Sequence, residues 1–340
     1  MTGLVSEGAL YGYARPNQDA RGLHIRQFAR AFIFQVEESH VVVVVSDVCM
    51  ITQALHKEVL ERLAMLYGDL YRQDNVMLLP QHTHSSPGGM HTYFMYQAPS
   101  QGFINETFMA YTDGIVKAIQ RAHDRLQEGE VYVNSGELLD ASDNRSPYAY
   151  YNNPEEELAR YTHNTDKEMT ILKIKGSNDD DLGVISFFPV HTTSMKNYNH
   201  LVSGDNKGYA SQMFERNMTE GMYPINTSFV AAFAQSAEGD ATPNTGGSLC
   251  NGTNDMCTYN TSTCPEDPND LKRPNFPAYL ARFTVCARVV KVAASGVYDV
   301  NMRLTTALPK TNKVKGKTHT ITKADVYVAQ FVFEHNPSES

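Results

Sequence analysis

Two histidines separated by one residue are the first candidates for chemistry in this sequence. His82 and His84 lie in the segment 81–89, QHTHSSPGG, directly after the apolar run 75–80. Alternate side chains of an extended chain point to the same side, so both imidazoles can face one cavity. An H-x-H pair is a familiar way to present two nitrogen ligands to a metal ion, although a polar loop with two surface histidines fits the spacing equally well.

The elements predicted around this segment indicate an α/β fold. A helical pattern at 51–67 lies between strand-like runs at 41–46 and 76–79, and this order favours a parallel crossover. A long segment without periodicity, 139–165, reads as a loop. We expect one domain over 1–340, with a mixed sheet, flanking helices and these further elements: strands at 29–36, 131–138, 169–174, 184–190, 229–234 and 297–304, and helices at 104–126, 206–217 and 279–294.

Several of the predicted strands end beside polar side chains. They are 76–79 before His82, 184–190 before His191, and 229–234 before the loop 235–244, which contains Asp240 and Thr242. In open α/β sheets, sites form on the loops that follow the carboxyl ends of strands. The arrangement therefore favours an active site over a surface loop.

Composition and charge narrow the classes of function. The chain of 340 residues is 41% hydrophobic and 20% charged, which is typical of a soluble globular protein. Its net charge is −9, and it has no Lys/Arg cluster interleaved with aromatics, so we expect no nucleic-acid partner. No run approaches the roughly 20 apolar residues that span a bilayer, and residues 1–7 do not resemble a signal peptide or anchor.

Two features nevertheless indicate a glycosylated, secreted or membrane-associated protein. Cys250, Cys257 and Cys264 lie seven residues apart in a Gly/Asn/Thr-rich loop, where a disulfide would stabilise a segment with little core. Because these three cysteines lack CxxC spacing, a disulfide is a better interpretation of them than a metal site. Cys49 and Cys286 lie in apolar runs and read as buried thiols. The second feature is a set of glycosylation sequons at Asn105, Asn144, Asn217, Asn226, Asn251 and Asn260.

Longer motifs distributed along the chain carry a family resemblance. They are GYA at 12–14, HIRQFARAFIF at 24–34, HTHSSPGG at 82–89, NRSP at 144–147, HTTSM at 191–195, NHLVSGDNKGYAS at 199–211, FVAAFAQ at 229–235 and GDATPN at 239–244. Together, over most of 11–300, they resemble the neutral ceramidases. The resemblance implies the mixed α/β fold of that family's N-terminal catalytic domain, without its C-terminal immunoglobulin-like domain.

The resemblance also implies an activity. Members of this family are zinc amidohydrolases that cut the N-acyl bond of ceramide, so it implies a Zn²⁺ cofactor, a ceramide-like lipid substrate and membrane contact through that substrate. By resemblance, His82 and His191 correspond to zinc ligands and His84 to a histidine that assists proton transfer. Arg145 corresponds to an arginine near the substrate carbonyl or product carboxylate, and Thr242 stands where the family has its catalytic serine. Such a set suits an amide, a poor electrophile that needs a Lewis acid, a proton carrier and a fixed cation.

Two further expectations follow the resemblance. The cysteine loop at about 248–266 resembles the disulfide loop of animal members, which implies a Cys250–Cys264 bond with Cys257 free. Asp205 and Asp240 are candidates either to orient a histidine from behind or to shape turns.

The sequence also departs from the family pattern. The family's remaining zinc ligands, a glutamate and a tyrosine, come from beyond residue 340, and Glu334 and Tyr327 are candidates here without motif context. The N-terminus also begins part-way into the family's usual first strand, so the sequence reads as truncated at both ends. One alternative is a catalytically degenerate relative that keeps the fold and lipid binding. A metal-free hydrolase using Ser211 or Ser236 is disfavoured because neither serine lies in a G-x-S-x-G elbow.

Overall fold

A computed structural model describes residues 1–15, 17–219 and 228–246, and the backbone of 319–320 and 326–333. Several predicted features lie outside these residues or involve side chains that are not described. They are the helix at 279–294, the strand at 297–304, the loop at 248–266 with its cysteines, Cys286, the sequons at Asn226, Asn251 and Asn260, and the side chains of Glu334 and Tyr327.

The described elements follow the predicted order closely. The strands are β1 Ser6–Tyr11, β2 Asp19–Arg21, β3 Ala29–Val36, β4 Ser39–Ser46, β5 Val76–Pro80, β6 Ser86–Pro87, β7 Gln127–Glu137, β8 Asp143–Asn144, β9 Glu168–Gly176, β10 Asp181–Phe187, β11 Val230–Ala234, β12 Ala241–Thr242, β13 His319–Thr320 and β14 Val326–Phe333. The helices are α1 Gln53–Tyr67, α2 Phe94–Gln97, α3 Asn105–His123, α4 Pro147–Tyr151, α5 Glu155–Leu158 and α6 Asp205–Met218.

Nine of the described strands form one mixed sheet. Its order is β11-β10-β9-β7-β14-β3-β4-β5, and β13 also pairs with β7. The β4–β5 and β10–β11 pairs are parallel, and the other pairs are antiparallel. The expected mixed sheet with flanking helices and the predicted crossover from β4 to β5 are both confirmed. Smaller sheets are formed by β2-β1-β6 and by β12-β8.

The large sheet curves until its two ends meet. β5 and β11 are the terminal strands of the order, yet the side-chain amide of Gln235, after β11, donates to the carbonyl of Gln81, after β5, at 2.9 Å. Apolar side chains from both halves fill the space between them, among them Phe32, Val43, Val45, Ile185, Val230 and Ala232. The predicted strand ends therefore meet through curvature of the sheet rather than along one edge of an open parallel sheet.

Helices cover the outer faces of both halves. α1 and α3 pack on the β3-β4-β5 half through a core that includes Ala31, Ile33, Val42, Val44, Leu55, Leu63, Ile115 and Ile119. α6 packs on the β9-β10-β11 half through a core that includes Ile171, Val184, Ala210, Phe214, Ala231 and Phe233. Within the described ranges, no helix combines the length and apolar character needed to cross a membrane.

A buried ion triad joins the two halves. The Arg30 guanidinium donates to both carboxylate oxygens of Asp47 at 3.1 and 3.2 Å and to both of Glu215 at 2.8 and 3.2 Å. All three side chains are essentially inaccessible to solvent. Burial acts to lower the pKa of Arg30, but the charges of Glu215 and Asp47 outweigh it, so the net shift is upward and Arg30 stays charged.

We expect Arg30→Ala to lower the free energy of unfolding by about 3–5 kcal/mol, because it leaves two buried carboxylates without their cation. The measurement is the urea unfolding midpoint, followed by circular dichroism. Arg72→Ala is the matched control, since Arg72 pairs with Asp74 on the exposed surface and should leave the midpoint nearly unchanged. Equal shifts for the two variants would contradict a structural role for the triad.

Candidate active site

His82 is held by the loop that follows β4. Its backbone N–H donates to the carbonyl of Val48 at 3.0 Å, and its ring Nδ1 lies 2.8 Å from the carbonyl of Cys49. A carbonyl only accepts, so Nδ1 carries the hydrogen and Nε2 keeps its lone pair. The backbone of His82 has φ of 70°, a conformation that non-glycine residues rarely adopt and that clusters at functional sites.

The structure brings His82, His84 and His191 into one cluster. Their ring centroids form a triangle with sides of 4.8, 4.7 and 5.0 Å. Nε2 of His84 lies 3.1 Å from Nε2 of His82, and His84 is anchored by its N–H, which donates to the carbonyl of Thr192 at 3.2 Å. Nδ1 of His191 donates to the carbonyl of Glu238 at 3.3 Å, which leaves its Nε2 available.

The surroundings keep these imidazoles neutral. Burial is the main cause that lowers the pKa of each ring, and the positive charge of Arg145 adds to it in all three. For His191 these effects and the neighbouring His82 lower the pKa to about 4. A neutral imidazole with a free lone pair is the form that binds a metal ion. Near neutral pH these histidines are therefore in the protonation state that metal binding requires.

Arg145 and Thr242 share the small ribbon formed by β8 and β12. Thr242 pairs with Asp143, and Ala241 pairs with Asn144, in antiparallel register. The backbone N–H of Arg145 donates to the carbonyl of Asp240 at 2.6 Å, which fixes the residue at the end of the ribbon. The ribbon meets the cluster where the N–H of His191 donates to the carbonyl of Ala241 at 3.1 Å, and the charge of Arg145 acts on all three histidines.

Asp205 and Asp240 make hydrogen bonds with backbone and loop groups around the cluster. Asp205 accepts from the N–H groups of Met195 at 3.0 Å and Asn206 at 2.6 Å. The Asp240 carboxylate accepts from Thr165 at 2.8 Å and from the Asn144 amide at 3.1 Å. These contacts shape the loops around the cluster, and direct orientation of a histidine by either residue stays a prediction. Because the Asn144 amide is a donor here, this sequon also has a structural use.

Two residues join the cluster that sequence reasoning did not assign to it. Cys49 is a free, buried thiol, as predicted, and its Sγ lies 3.8 Å from Nδ1 of His82. Burial raises the pKa of this thiol. The Glu238 carboxylate lies 4.0 Å from the same nitrogen. Glu238 is an acidic residue on the loop after β11, so the strand-end argument that singled out Asp240 could have found it.

The GYA motif forms a wall against His84. β1 pairs with β6, which places Gly12 so close to His84 that a Cβ on it would lie 2.4 Å from the ring carbon Cγ. The Tyr13 ring meets the His84 ring edge to face at 4.6 Å between centroids, and its hydroxyl donates to the carbonyl of Met195 at 2.7 Å. A residue without a side chain at position 12 is therefore required for the observed position of His84.

Comparison with known proteins identifies the family to which this chain belongs. The sequence profile described as "Neutral/alkaline non-lysosomal ceramidase, N-terminal" matches residues 1–332. The chain belongs to this family. Its similarity to neutral ceramidase A of Dictyostelium discoideum is 46% identity over 267 residues, which cover 78% of this chain and 37% of that protein. Its similarity to the neutral ceramidase of Pseudomonas aeruginosa is 44% identity over 246 residues, which cover 72% and 36% of the two chains.

A solved structure of this ceramidase family confirms the fold. The crystal structure of neutral ceramidase from Pseudomonas aeruginosa superposes with a TM-score of 0.68 at 42% identity, over 77% of this chain and 40% of that chain. The present chain thus spans well under half the length of the relatives it matches. Both the family resemblance and the expected mixed α/β fold are confirmed.

We expect Gly12→Ala to displace His84, and Gly102→Ala to serve as its matched control. The two glycines have φ of 127° and 125°, but a Cβ at Gly102 meets no atom within 4 Å. Both variants should lose about 1–3 kcal/mol of stability through backbone strain. Only Gly12→Ala should shift the ring proton resonances of His84 in NMR spectra. Matching spectra for both variants would show that the site tolerates a methyl group there.

Proposed function

We propose that this protein is a zinc-dependent amidohydrolase that cleaves the N-acyl bond of ceramide to release sphingosine and a fatty acid. The observation that carries the proposal is the cluster of three neutral imidazoles at His82, His84 and His191, beside the cation of Arg145. Membership of the ceramidase family supports the substrate class, and the solved relative supports the fold on which the cluster is built.

The donor set fits a metal ion. His82 and His191 each donate through Nδ1 to a backbone carbonyl, so each would offer Nε2 as a ligand. One ligand atom from each of His82, His191 and Glu238 lies within 4.8 Å of the others. Zinc, when bound, supplies a Lewis acid that polarises an amide carbonyl and acidifies water.

The remaining side chains suit the other needs of amide hydrolysis. His84 is buried, neutral and next to His82, so it can accept a proton and return it to the leaving amine. The Arg145 guanidinium can hold the developing negative charge on oxygen or the product carboxylate. The Thr242 hydroxyl lies on the same ribbon as Arg145, with a β-branch that restricts its rotation.

A second candidate function is lipid binding without catalysis. The presence of Thr242, where the family resemblance implies a serine, favours it, because the added methyl group crowds a tight site. In this alternative the protein keeps the fold and binds ceramide-like lipids. It is distinguished by measuring lipid binding and turnover on the same zinc-loaded sample.

We expect the intact protein to hydrolyse a short-chain fluorescent ceramide, to lose this activity with a chelator and to regain it with zinc. His82→Ala should lower kcat/KM by more than about 100-fold, because loss of a supporting contact to a metal ligand alone costs 10–100-fold. His40→Ala, in the less buried first part of β4, is the control and should retain activity. Bound zinc and bound lipid without turnover would overturn the hydrolase proposal and support the binding protein.

Contact with a membrane surface is part of this proposal, because ceramide resides in bilayers. The segment around α2 presents Tyr93, Phe94 and Met95, whose residues are 59%, 86% and 77% exposed. A cavity of about 250 Å³, lined in part by Met50 and Tyr93, lies between this segment and the start of α1. Met50 follows Cys49, which contacts His82, so the exposed apolar segment adjoins the candidate site.

We expect the double substitution Phe94→Ser, Met95→Ser to weaken binding to phosphatidylcholine vesicles that contain ceramide, measured by co-sedimentation. Hydrolysis of membrane-embedded ceramide should fall with binding, while hydrolysis of a water-dispersed short-chain substrate should persist. Met65→Ser is the control, since Met65 is 79% exposed on α1. An equal loss in the control, or unchanged vesicle binding in the double variant, would contradict membrane contact through this segment.

A further inference from the structure

The side-chain amide of Gln235 joins the two backbone segments that lead into His82 and His191. Its Nε2 donates to the carbonyl of Gln81 at 2.9 Å and to the carbonyl of Val190 at 2.7 Å. Each carbonyl belongs to the peptide group that leads directly into one of the two histidines. One nitrogen atom is therefore bonded to the backbone immediately before both candidate zinc ligands.

The orientation of this amide is fixed by its partners. A carbonyl only accepts a hydrogen bond, so the nitrogen of Gln235, rather than its oxygen, faces the carbonyls of Gln81 and Val190. On its other side, Oε1 accepts from the N–H of Val190 at 3.2 Å. Val190 thus exchanges two hydrogen bonds with the amide, as a residue does with its partner in an antiparallel ladder. The side chain continues backbone-like pairing at a point where β10 has already ended.

Thr192 adds a second link between the same segments. Its hydroxyl donates to the carbonyl of Gln81 at 2.5 Å, and the hydroxyl oxygen accepts from the Gln235 nitrogen at 3.0 Å. The Thr192 carbonyl accepts from the backbone N–H of His84 at 3.2 Å. Thr192 is fully buried, so water does not compete for these bonds. The segments that carry all three histidines are therefore linked through Gln235 and Thr192.

The sheet ladder does not set the distance between His82 and His191. His82 follows β5, which is one end of the described strand order, and His191 follows β10, which lies next to the other end. These two strands are not paired with each other in that order. Ladder bonds fix residues only within paired strands. The separation of the two histidines therefore depends on side chains that cross between the strand ends, as Gln235 does.

We propose that the Gln235 amide is a positioning group that sets the separation of the His82 and His191 imidazoles, an inference that rests on the proposed metal site. The ring centroids of these histidines lie 4.7 Å apart. Metal ligands need to be held within about 0.5 Å of their working geometry by the contacts behind them. An amide bonded to both backbones keeps the two rings at this separation before a metal ion binds, so less ordering is required on binding.

Gln235→Met keeps the length of the side chain and removes all of these hydrogen bonds. In the intact protein, zinc affinity measured by competition with a chromophoric chelator should fall by about 10–100-fold, the range for loss of contacts behind metal ligands. In the metal-free protein, the ring proton resonances of both His82 and His191 should shift in NMR spectra. Gln212→Met is the matched control and should change neither quantity, because the buried Gln212 amide donates to the carbonyl of Arg26 at 3.3 Å, outside the histidine segments.

Two substitutions at Thr192 separate positioning from a general loss of stability. Thr192→Val keeps the buried volume and removes the hydroxyl, whereas Thr192→Ser keeps the hydroxyl and removes a buried methyl group. Positioning by hydrogen bonds predicts weaker zinc binding in Thr192→Val and recovery in Thr192→Ser, whichever variant has the lower urea unfolding midpoint. This pair also carries the test if Gln235→Met does not fold.

The outcomes separate this inference from the metal site beneath it. Equal losses of zinc affinity in Gln235→Met and Gln212→Met, or losses at Thr192 that follow the urea midpoint instead of the hydroxyl, would overturn the positioning role. Unchanged affinity with unchanged ring resonances in Gln235→Met would also overturn it. Full zinc affinity in both His82→Ala and His191→Ala would refute the metal site itself. The ring resonances of the metal-free Gln235→Met protein would then decide the positioning role on their own.

Discussion

The pairing of Arg30 with Asp47 and Glu215 is the constraint on which the rest of this fold depends. The Arg30 guanidinium is buried between the two halves of the sheet, where an unpaired charge would strongly destabilise the fold. It therefore needs the carboxylates of both Asp47 and Glu215 as partners. Asp47 comes from the end of β4 and Glu215 from α6, so satisfying one guanidinium fixes the second half of the chain on the first. We infer that the triad selects this arrangement of the halves more than it adds net stability, since buried ion pairs often contribute little.

The same constraint extends to the histidine cluster through a short series of contacts. The Asp47 carboxylate accepts from the N–H of Phe28 at 3.0 Å, which fixes the loop whose next residue, Val48, accepts from the backbone of His82. On the other side, Gly204, the residue before α6, packs closely against Asp47. A Cβ on Gly204 would lie 3.4 Å from the Asp47 carboxyl carbon. The side-chain amide of Gln81 donates to the carbonyl of Gly204 at 2.6 Å. The His82 imidazole is thus positioned by packing that begins at a buried charge.

The local hydrophobic pattern of the sequence predicted many of the helices and strands. It did not predict how the two ends of the large sheet come together. The periodicities predicted α1, α3, α6 and strands β3 to β5 within a few residues, because each pattern records which face is buried. His82, His84 and His191 could be singled out because polar groups after apolar strands are unusual. The meeting of β5 with β11, and the position of β14 between β3 and β7, depend on pairings across hundreds of residues that no local period encodes. For the same reason the contact of Cys49 and Glu238 with His82 was not predicted.

The position of β14 has a consequence for how the chain folds during synthesis. All eight residues of β14 pair with β3, and its first three pair with β7, so a strand from 326–333 fills the gap between strands that leave the ribosome long before it. Until then the hydrogen-bonding edges of β3 and β7 that face this gap have no partner, and exposed edges invite pairing with other chains. A nascent chain halted before β14 would carry the histidines of the site on a sheet with its centre still open, so the large sheet is completed only after residue 333 has been synthesised.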